Sequence, residues 1–246
     1  MRRLLLPGAA AAALAFASVA AGGGFPRFGA GCTRDDFGAA GGTVRAELCR
    51  PRRPTTAAVV VLHGCGGFST FDHRIVTTLP RFGIATLDVD YFGLTPPPGS
   101  KGFCNARGGL GFDFGTWVEI VDGAAAKLRT APGIEHVGVV GWSLGGGVAL
   151  AAAEGSTRLF AAVAGFSTGA FGAGAAVGRL PPTILLSGGR TDAIPLAETL
   201  PLYRALRSAH VPTALYVYPH GSHDWPGRQG SLGIAHAAAF LLRYLR

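Results

Sequence analysis

The sequence predicts a single α/β domain with a mostly parallel central sheet and helices on both faces. Three observations carry that expectation. Apolar runs of strand length alternate with helical stretches along most of the 246 residues. The run Ala57 to Leu62 is continuously apolar, as befits a strand buried on both faces. Finally, Val137-Gly138-Val139-Val140 leads straight into Gly141-Trp142-Ser143-Leu144-Gly145 and then a small-residue segment, which reads as strand, tight turn and helix.

Taken in order, residues 1–22 have the pattern of a secretory signal. Arg2 and Arg3 precede an apolar stretch from Leu4 to Val19, followed by small residues at Ser18-Val19-Ala20-Ala21. That stretch is short, rich in alanine and interrupted by Pro7-Gly8, so no stable membrane span is expected and export is. Residues 23–41 are expected to be a flexible lead-in, and residues 42–246 one domain without internal repeats. About 225 residues remain after the signal, enough for a substantial core.

Within the domain, Thr43 to Leu48 alternates as an early strand and Ala57 to Leu62 forms the next. A helix is expected over Phe71 to Phe82, a strand over Ile84 to Val89, and a loop from Pro96 to about Gly111. A second helix runs from about Phe114 to Arg129. Then come strand 137–140, a helix from Leu144 to Glu154 closed by Gly155, and strand 159–165. Strand 183–187, helix 195–209, strand 213–218 and helix 231–245 complete the chain.

The net charge of +8 is almost all arginine, 20 of the 22 basic residues. The charges are dispersed apart from Arg45, Arg50, Arg52 and Arg53, with no basic helix or zinc pattern, so nucleic-acid binding is not expected. Four cysteines, Cys32, Cys49, Cys65 and Cys104, in an exported chain point to two disulfides. Three pairings are open, with Cys32–Cys49 and Cys65–Cys104 favoured by the elements they flank. None of the four has metal-site spacing.

A serine flanked by glycines at the end of a strand is held out from a sharp turn, where a base can activate it. The pattern occurs twice, because Gly165-Phe166-Ser167-Thr168-Gly169 matches as well. Helix formers follow Ser143, whereas glycine-rich sequence and Pro181-Pro182 follow Ser167, so Ser143 is the expected nucleophile. Ser167 is then the end of a strand running into a loop. In parallel sheets, sites gather beyond the carboxyl ends of strands. Downstream of Ser143, Asp192 follows strand 183–187 and is the expected acid, a helix-capping role being its other reading. His223 follows strand 213–218 and is the expected base, with His220 as the alternative. The backbone N–H groups of Leu144 and of Cys65, in the turn Leu62-His63-Gly64-Cys65-Gly66-Gly67, are expected to bind an oxyanion, with His63 buttressing that turn. Trp142 and Trp225 either line a substrate pocket or pack the loops. Trp117 is expected in a helix core, and His73, His136, His210 and His236 in structural or exposed positions. No phosphate loop or dinucleotide fingerprint appears in the required context, and no cofactor or metal is required.

His63-Gly-Cys-Gly-Gly, Asp90-Tyr91-Phe92, Gly-Trp-Ser143-Leu-Gly-Gly, Gly-Arg-Thr-Asp192 and Tyr218-Pro-His-Gly-Ser-His223 resemble, in order and spacing, the dienelactone hydrolase family of α/β-hydrolases. The resemblance extends from about residue 42 to the C-terminus. It implies an α/β-hydrolase fold without a large lid, supports His223 over His220, and implies activity on esters or lactones. Three departures point away from dienelactone itself as substrate. The nucleophile is serine rather than cysteine, Gly64 stands where the family carries a glutamate, and Asp90 to Leu94 lacks the family's carboxylate-binding arginine. The expectation is an exported serine carboxylesterase acting on small or medium esters. The alternatives are a polyester, lactone or peptide hydrolase on the same residues, or a catalytically silent envelope binding protein.

Overall fold

The computed structural model describes residues 31–94, 113–156, 158–169, 176–189 and 192–246. Its frame is an eight-stranded sheet in the order β1-β4-β6-β5-β7-β8-β9-β10. The strands are β1 (Cys32–Arg34), β4 (Ala46–Cys49), β5 (Ala57–Leu62), β6 (Ala85–Val89), β7 (His136–Trp142), β8 (Val163–Phe166), β9 (Thr183–Ser187) and β10 (Thr213–Val217). A separate hairpin joins β2 (Phe37–Ala39) to β3 (Gly42–Val44). The pairings of β1 with β4 and of β4 with β6 are antiparallel. From β6 to β10 every pairing is parallel.

All six residues of β5 are buried, and they divide by parity between two cores. Ala58, Val60 and Leu62 join the core under α2 (Phe114–Thr130), α3 (Leu144–Gly155) and α4 (Leu196–Ser208). Ala57, Val59 and Val61 join the core under α1 (Thr70–Thr78) and α5 (Gly227–Tyr244). This two-sided burial is the reason the run is continuously apolar rather than alternating. Ser69 caps α1 by accepting the Phe71 and Asp72 N–H groups, while the Asp72 carboxylate accepts the Ser69 N–H, so both ends of the first turn are satisfied. No described helix is long and apolar enough to cross a membrane.

Several boundaries differ from the sequence reading. The expected strand Thr43 to Leu48 is split between two sheets, because Val44 pairs with Phe37 in β2–β3 while Ala46 pairs with Val89 in the main sheet. Helix α1 ends at Thr78 and Leu79–Phe82 continues as a 3-10 turn, and α5 begins at Gly227 rather than at residue 231. Residues 32–39, expected within the lead-in, are instead strands β1 and β2. Pairing of Cys32 with Cys49 across β1 and β4 fixes the first, and the Cys32–Cys49 disulfide clamps that register. At a separation of 17 residues, such a bridge contributes on the order of 3 kcal/mol by restricting the unfolded chain. The second is fixed by a two-residue turn at Ala40-Gly41, both with positive φ, which matches the twist of a hairpin. The expected strand 159–165 begins only at Val163, because Leu159 still hydrogen-bonds back to Ser156 in a turn. Cys65 is also disulfide-bonded. The expected signal, the rest of the lead-in, the loop from Pro96 and Cys104 lie outside the described residues.

The arginine concentration sits away from the carboxyl ends of the parallel strands. Arg50, Arg52, Arg53 and Arg81 line a cavity of about 940 Å³ with His73, beside Gly83 and Cys49. Arg45 is directed elsewhere, to Asp90 at 2.6 Å.

On the α1 side of the sheet, Asp88 is fully buried and neither carboxyl oxygen has a hydrogen-bond partner among the described residues. Burial pushes its pKa well above the ordinary 3.8, reinforced by the charges of Asp72, Glu47 and Asp90. Burial also pushes Asp72 up to about 7, against the opposing effect of its bonds from Ser69. Both groups hold a proton in the folded chain that the unfolded chain releases near pH 4. The stability they contribute is therefore complete below that pH. It is lost as pH rises through about 7 for Asp72 and higher for Asp88. Urea unfolding between pH 4 and pH 7 should show a decline to which Asp72 contributes on the order of 4 kcal/mol and Asp88 adds in the same direction. The double substitution Asp72→Asn, Asp88→Asn should flatten it, and an unchanged slope would contradict the buried-acid account.

Candidate active site

Four neighbouring parallel strands each end in a polar residue of one connected cluster. Ser143 follows β7, Ser167 follows β8, Asp192 lies beyond β9 and His223 beyond β10. Residues separated by up to 80 positions thus converge at one end of the sheet.

Ser143 has φ 55° and ψ −120°, a conformation that an L side chain rarely adopts. It is maintained by the Ser143 N–H bond to the Phe166 carbonyl at 2.9 Å and by the start of α3 immediately after it. The flanking glycines are required by space. A Cβ on Gly141 would lie 2.1 Å from the Gly145 oxygen, and one on Gly145 would lie 2.4 Å from the backbone oxygens of Leu62 and His63. The result is a serine 5% exposed at the mouth of the turn.

His223 Nε2 lies 3.0 Å from Ser143 Oγ, and His223 Nδ1 lies 2.6 Å from Asp192 Oδ1. A carboxylate only accepts, so Nδ1 carries the proton and Nε2 is left to accept the Ser143 hydroxyl. Asp192 is fixed by four donors. His223 Nδ1 and the Ile194 N–H bond Oδ1, while the Gly188 N–H at 2.8 Å and the Ser167 hydroxyl bond Oδ2. Burial raises its pKa, but the bonds from His223, Ser167 and Ile194 outweigh burial, and the carboxyl lies below its ordinary value. It is therefore ionised at neutral pH. His220 is exposed and outside this chain of bonds.

The turn after β5 is held by its own histidine. His63 is fully buried, stacked on Tyr91 at 4.3 Å and flanked edge-on by Phe68 and Phe92. Burial lowers its pKa to about 4, so the ring is neutral, and its Nδ1–H donates to the Gly64 carbonyl at 2.9 Å. Tyr91, from the Asp90-Tyr91-Phe92 segment, donates its hydroxyl to the His63 carbonyl at 2.8 Å. The structure thus gives His63 the buttressing place expected from sequence. Leu144 opens α3, whose first N–H groups have no partner within the helix, and Cys65 lies in the Gly64–Gly67 turn.

The two tryptophans are struts. Trp225 is fully buried, which favours loop packing over the pocket wall of the two readings open from sequence. It stacks on Phe71 and meets Phe166 and Tyr218 edge-on, and its Nε1–H donates to Ser167 Oγ at 2.8 Å. Trp142, 8% exposed, donates its Nε1–H to the His223 carbonyl at 2.8 Å. Its ring also occupies the space a side chain at position 64 would need, since a Cβ there would sit 2.8 Å from it. Gly64 and Trp142 are therefore a matched pair. Trp117 lies in the core, and His236 accepts or donates a 2.7 Å bond with Tyr218. Sequence reasoning missed the bond between Ser167 and Asp192. The signal available was the second Gly-x-Ser-x-Gly match, which marks another serine at positive φ, 45°. Among the described residues, no group of three His, Cys, Asp or Glu side chains is placed to hold a metal ion.

A family model describing the alpha/beta hydrolase fold matches residues 57–172. No curated protein matches the chain at a significant level. Solved structures do. A dienelactone hydrolase from Anabaena variabilis is 23% identical, with a TM-score of 0.69 over 87% of this chain and 98% of its own. A dienelactone hydrolase-like promiscuous phosphotriesterase from metagenomic libraries is 16% identical, with a TM-score of 0.72 over 87% of this chain and 98% of its own. An esterase from Pyrobaculum calidifontis is 16% identical, with a TM-score of 0.68 over 87% of this chain and 86% of its own.

Proposed function

From the premise that this chain is an α/β-hydrolase in fold, we propose that it is an exported serine carboxylesterase acting on small or medium esters. The observation that carries the reading is the unbroken chain from Ser143 through His223 to an ionised Asp192. Ser143 Oγ attacks the acyl carbon as His223 Nε2 takes its proton. Asp192 orients the ring and stabilises the imidazolium that forms. The Leu144 and Cys65 N–H groups receive the oxyanion, each such donor worth roughly 3 kcal/mol in the transition state. The imidazolium then protonates the departing alcohol, and the acyl-enzyme forms. Water attacks that ester with His223 again as base, releasing the acid and restoring Ser143. Every proton in this cycle is handled by side chains already in contact.

The serine nucleophile and the Gly64–Trp142 pairing support a site unlike that of a thiol enzyme with a restraining glutamate. The Cys32–Cys49 disulfide supports an oxidising compartment, consistent with export. Two of the structural neighbours, the dienelactone hydrolase and the esterase, belong to the same reaction class. The oxidised protein, assayed against p-nitrophenyl esters from acetate to palmitate, should show saturable turnover with its highest kcat/KM on the shorter acyl chains. Absence of turnover on the whole series from a folded protein would oppose the reading.

A further inference from the structure

Ser167 looks from sequence like a rival nucleophile, yet its geometry excludes that and suits another task. Its side chain is completely buried, whereas Ser143 reaches the surface. An indole N–H can only donate, so the bond from Trp225 Nε1 obliges Ser167 Oγ to accept. Its single hydrogen is then directed at its other partner, Asp192 Oδ2. Trp225 in turn cannot swing away, because it is packed against Phe71, Phe166 and Tyr218 on three sides. The polarity of the chain Trp225 to Ser167 to Asp192 is therefore fixed by chemistry and locked by packing.

We propose that Ser167, oriented by Trp225, is a positioning residue that holds the Asp192 carboxylate in the plane and charge state from which it serves His223. Two of its features support this role. Ser167 is held at φ 45°, a conformation disfavoured for a non-glycine residue, as is Trp225 at φ 49°. A glycine at either place would relieve that strain and lose the bond. Burial also deprives Asp192 Oδ2 of water, so its ionisation depends on fixed donors, of which Ser167 is the side-chain one. The inference rests on the triad reading above, and the test separates the two.

The test uses p-nitrophenyl butyrate, with active enzyme counted by fluorophosphonate titration so that unfolded protein does not enter kcat. Ser167→Ala should lower kcat about tenfold with KM changed less than about twofold, as expected for loss of a bond to a charged group. The acid limb of kcat/KM should also move to higher pH. With one donor fewer, Asp192 binds a proton more readily, and its more basic carboxylate holds the His223 proton more tightly. Among the described residues, His223 is the titratable group that Asp192 faces. Trp225→Phe keeps an aromatic side chain at the site but removes the Nε1–H donor, which frees the Ser167 hydroxyl to rotate, and should shift the limb the same way by a smaller amount. A merely structural Ser167 would lower the melting temperature and leave the limb in place. An unshifted limb in whichever variant folds, or a probe adduct on Ser167 itself, would overturn the proposal while leaving the triad standing. No titratable serine in the unmodified enzyme would overturn the triad reading and this one with it.

Discussion

Ser143→Ala is expected to lower kcat on p-nitrophenyl esters by about 10⁴-fold or more while the protein remains folded. The size follows from the absence of a substitute. Ser167 is buried and committed to Asp192 and Trp225, so it cannot take over the attack. What remains is the polarising effect of the turn, which accelerates direct attack by water far less. A companion variant separates chemistry from conformation. Ser143→Gly should be equally inactive, yet more stable than the unmodified chain by about 1 kcal/mol, because glycine accepts φ 55° without a Cβ clash. Thermal or urea unfolding of the glycine variant beside the unmodified chain checks this. Equal or lower stability of the glycine variant would mean that the turn is not strained as described.

The second large effect is structural. Gly141→Ala should destabilise the protein by about 3 kcal/mol or more and remove activity with it. The added methyl would meet the Gly145 oxygen, the Gly145 carbonyl carbon at 2.3 Å and the Gly146 nitrogen at 2.5 Å, all backbone atoms at the start of α3. No rotamer change can relieve that contact. Either β7 or the first turn of α3 must move, and both carry Ser143. By contrast, a Cβ at Gly38 in the hairpin meets nothing within 4 Å, so Gly38→Ala should lie within about 0.5 kcal/mol of the parent. Denaturant midpoints for the pair measure the difference.

These two positions also show what could be read in advance. The Ser143 turn was legible because its pattern is local: a strand, two glycines, a serine and a helix start within one short stretch. Asp192 and His223 were legible because a parallel sheet delivers the ends of successive strands to one edge, which reduces the search to a few loop residues. Hairpin β2–β3 was not legible, since Ala40-Gly41 is a weak turn signal and neither strand alternates over more than three residues. The start of β8 was blurred for a related reason. Phe160 to Ala164 is uniformly apolar, and only pairing of Val163 with Val139 defines where the strand begins. The Ser167–Trp225 bond spans 58 residues and depends on two unusual backbone conformations, which no pattern of residue types specifies. Trp225 was ambiguous from sequence between pocket wall and strut, and its complete burial favours the strut.

Labelling tests the activation of Ser143 by His223 without any choice of substrate. The oxidised, folded protein would be treated with a broad fluorophosphonate probe and the adduct located by peptide mapping, with His223→Ala as the control. The expected result is one adduct, on Ser143, formed rapidly in the parent and lost in the control. A folded protein that takes no label, or takes it equally well without His223, would contradict it.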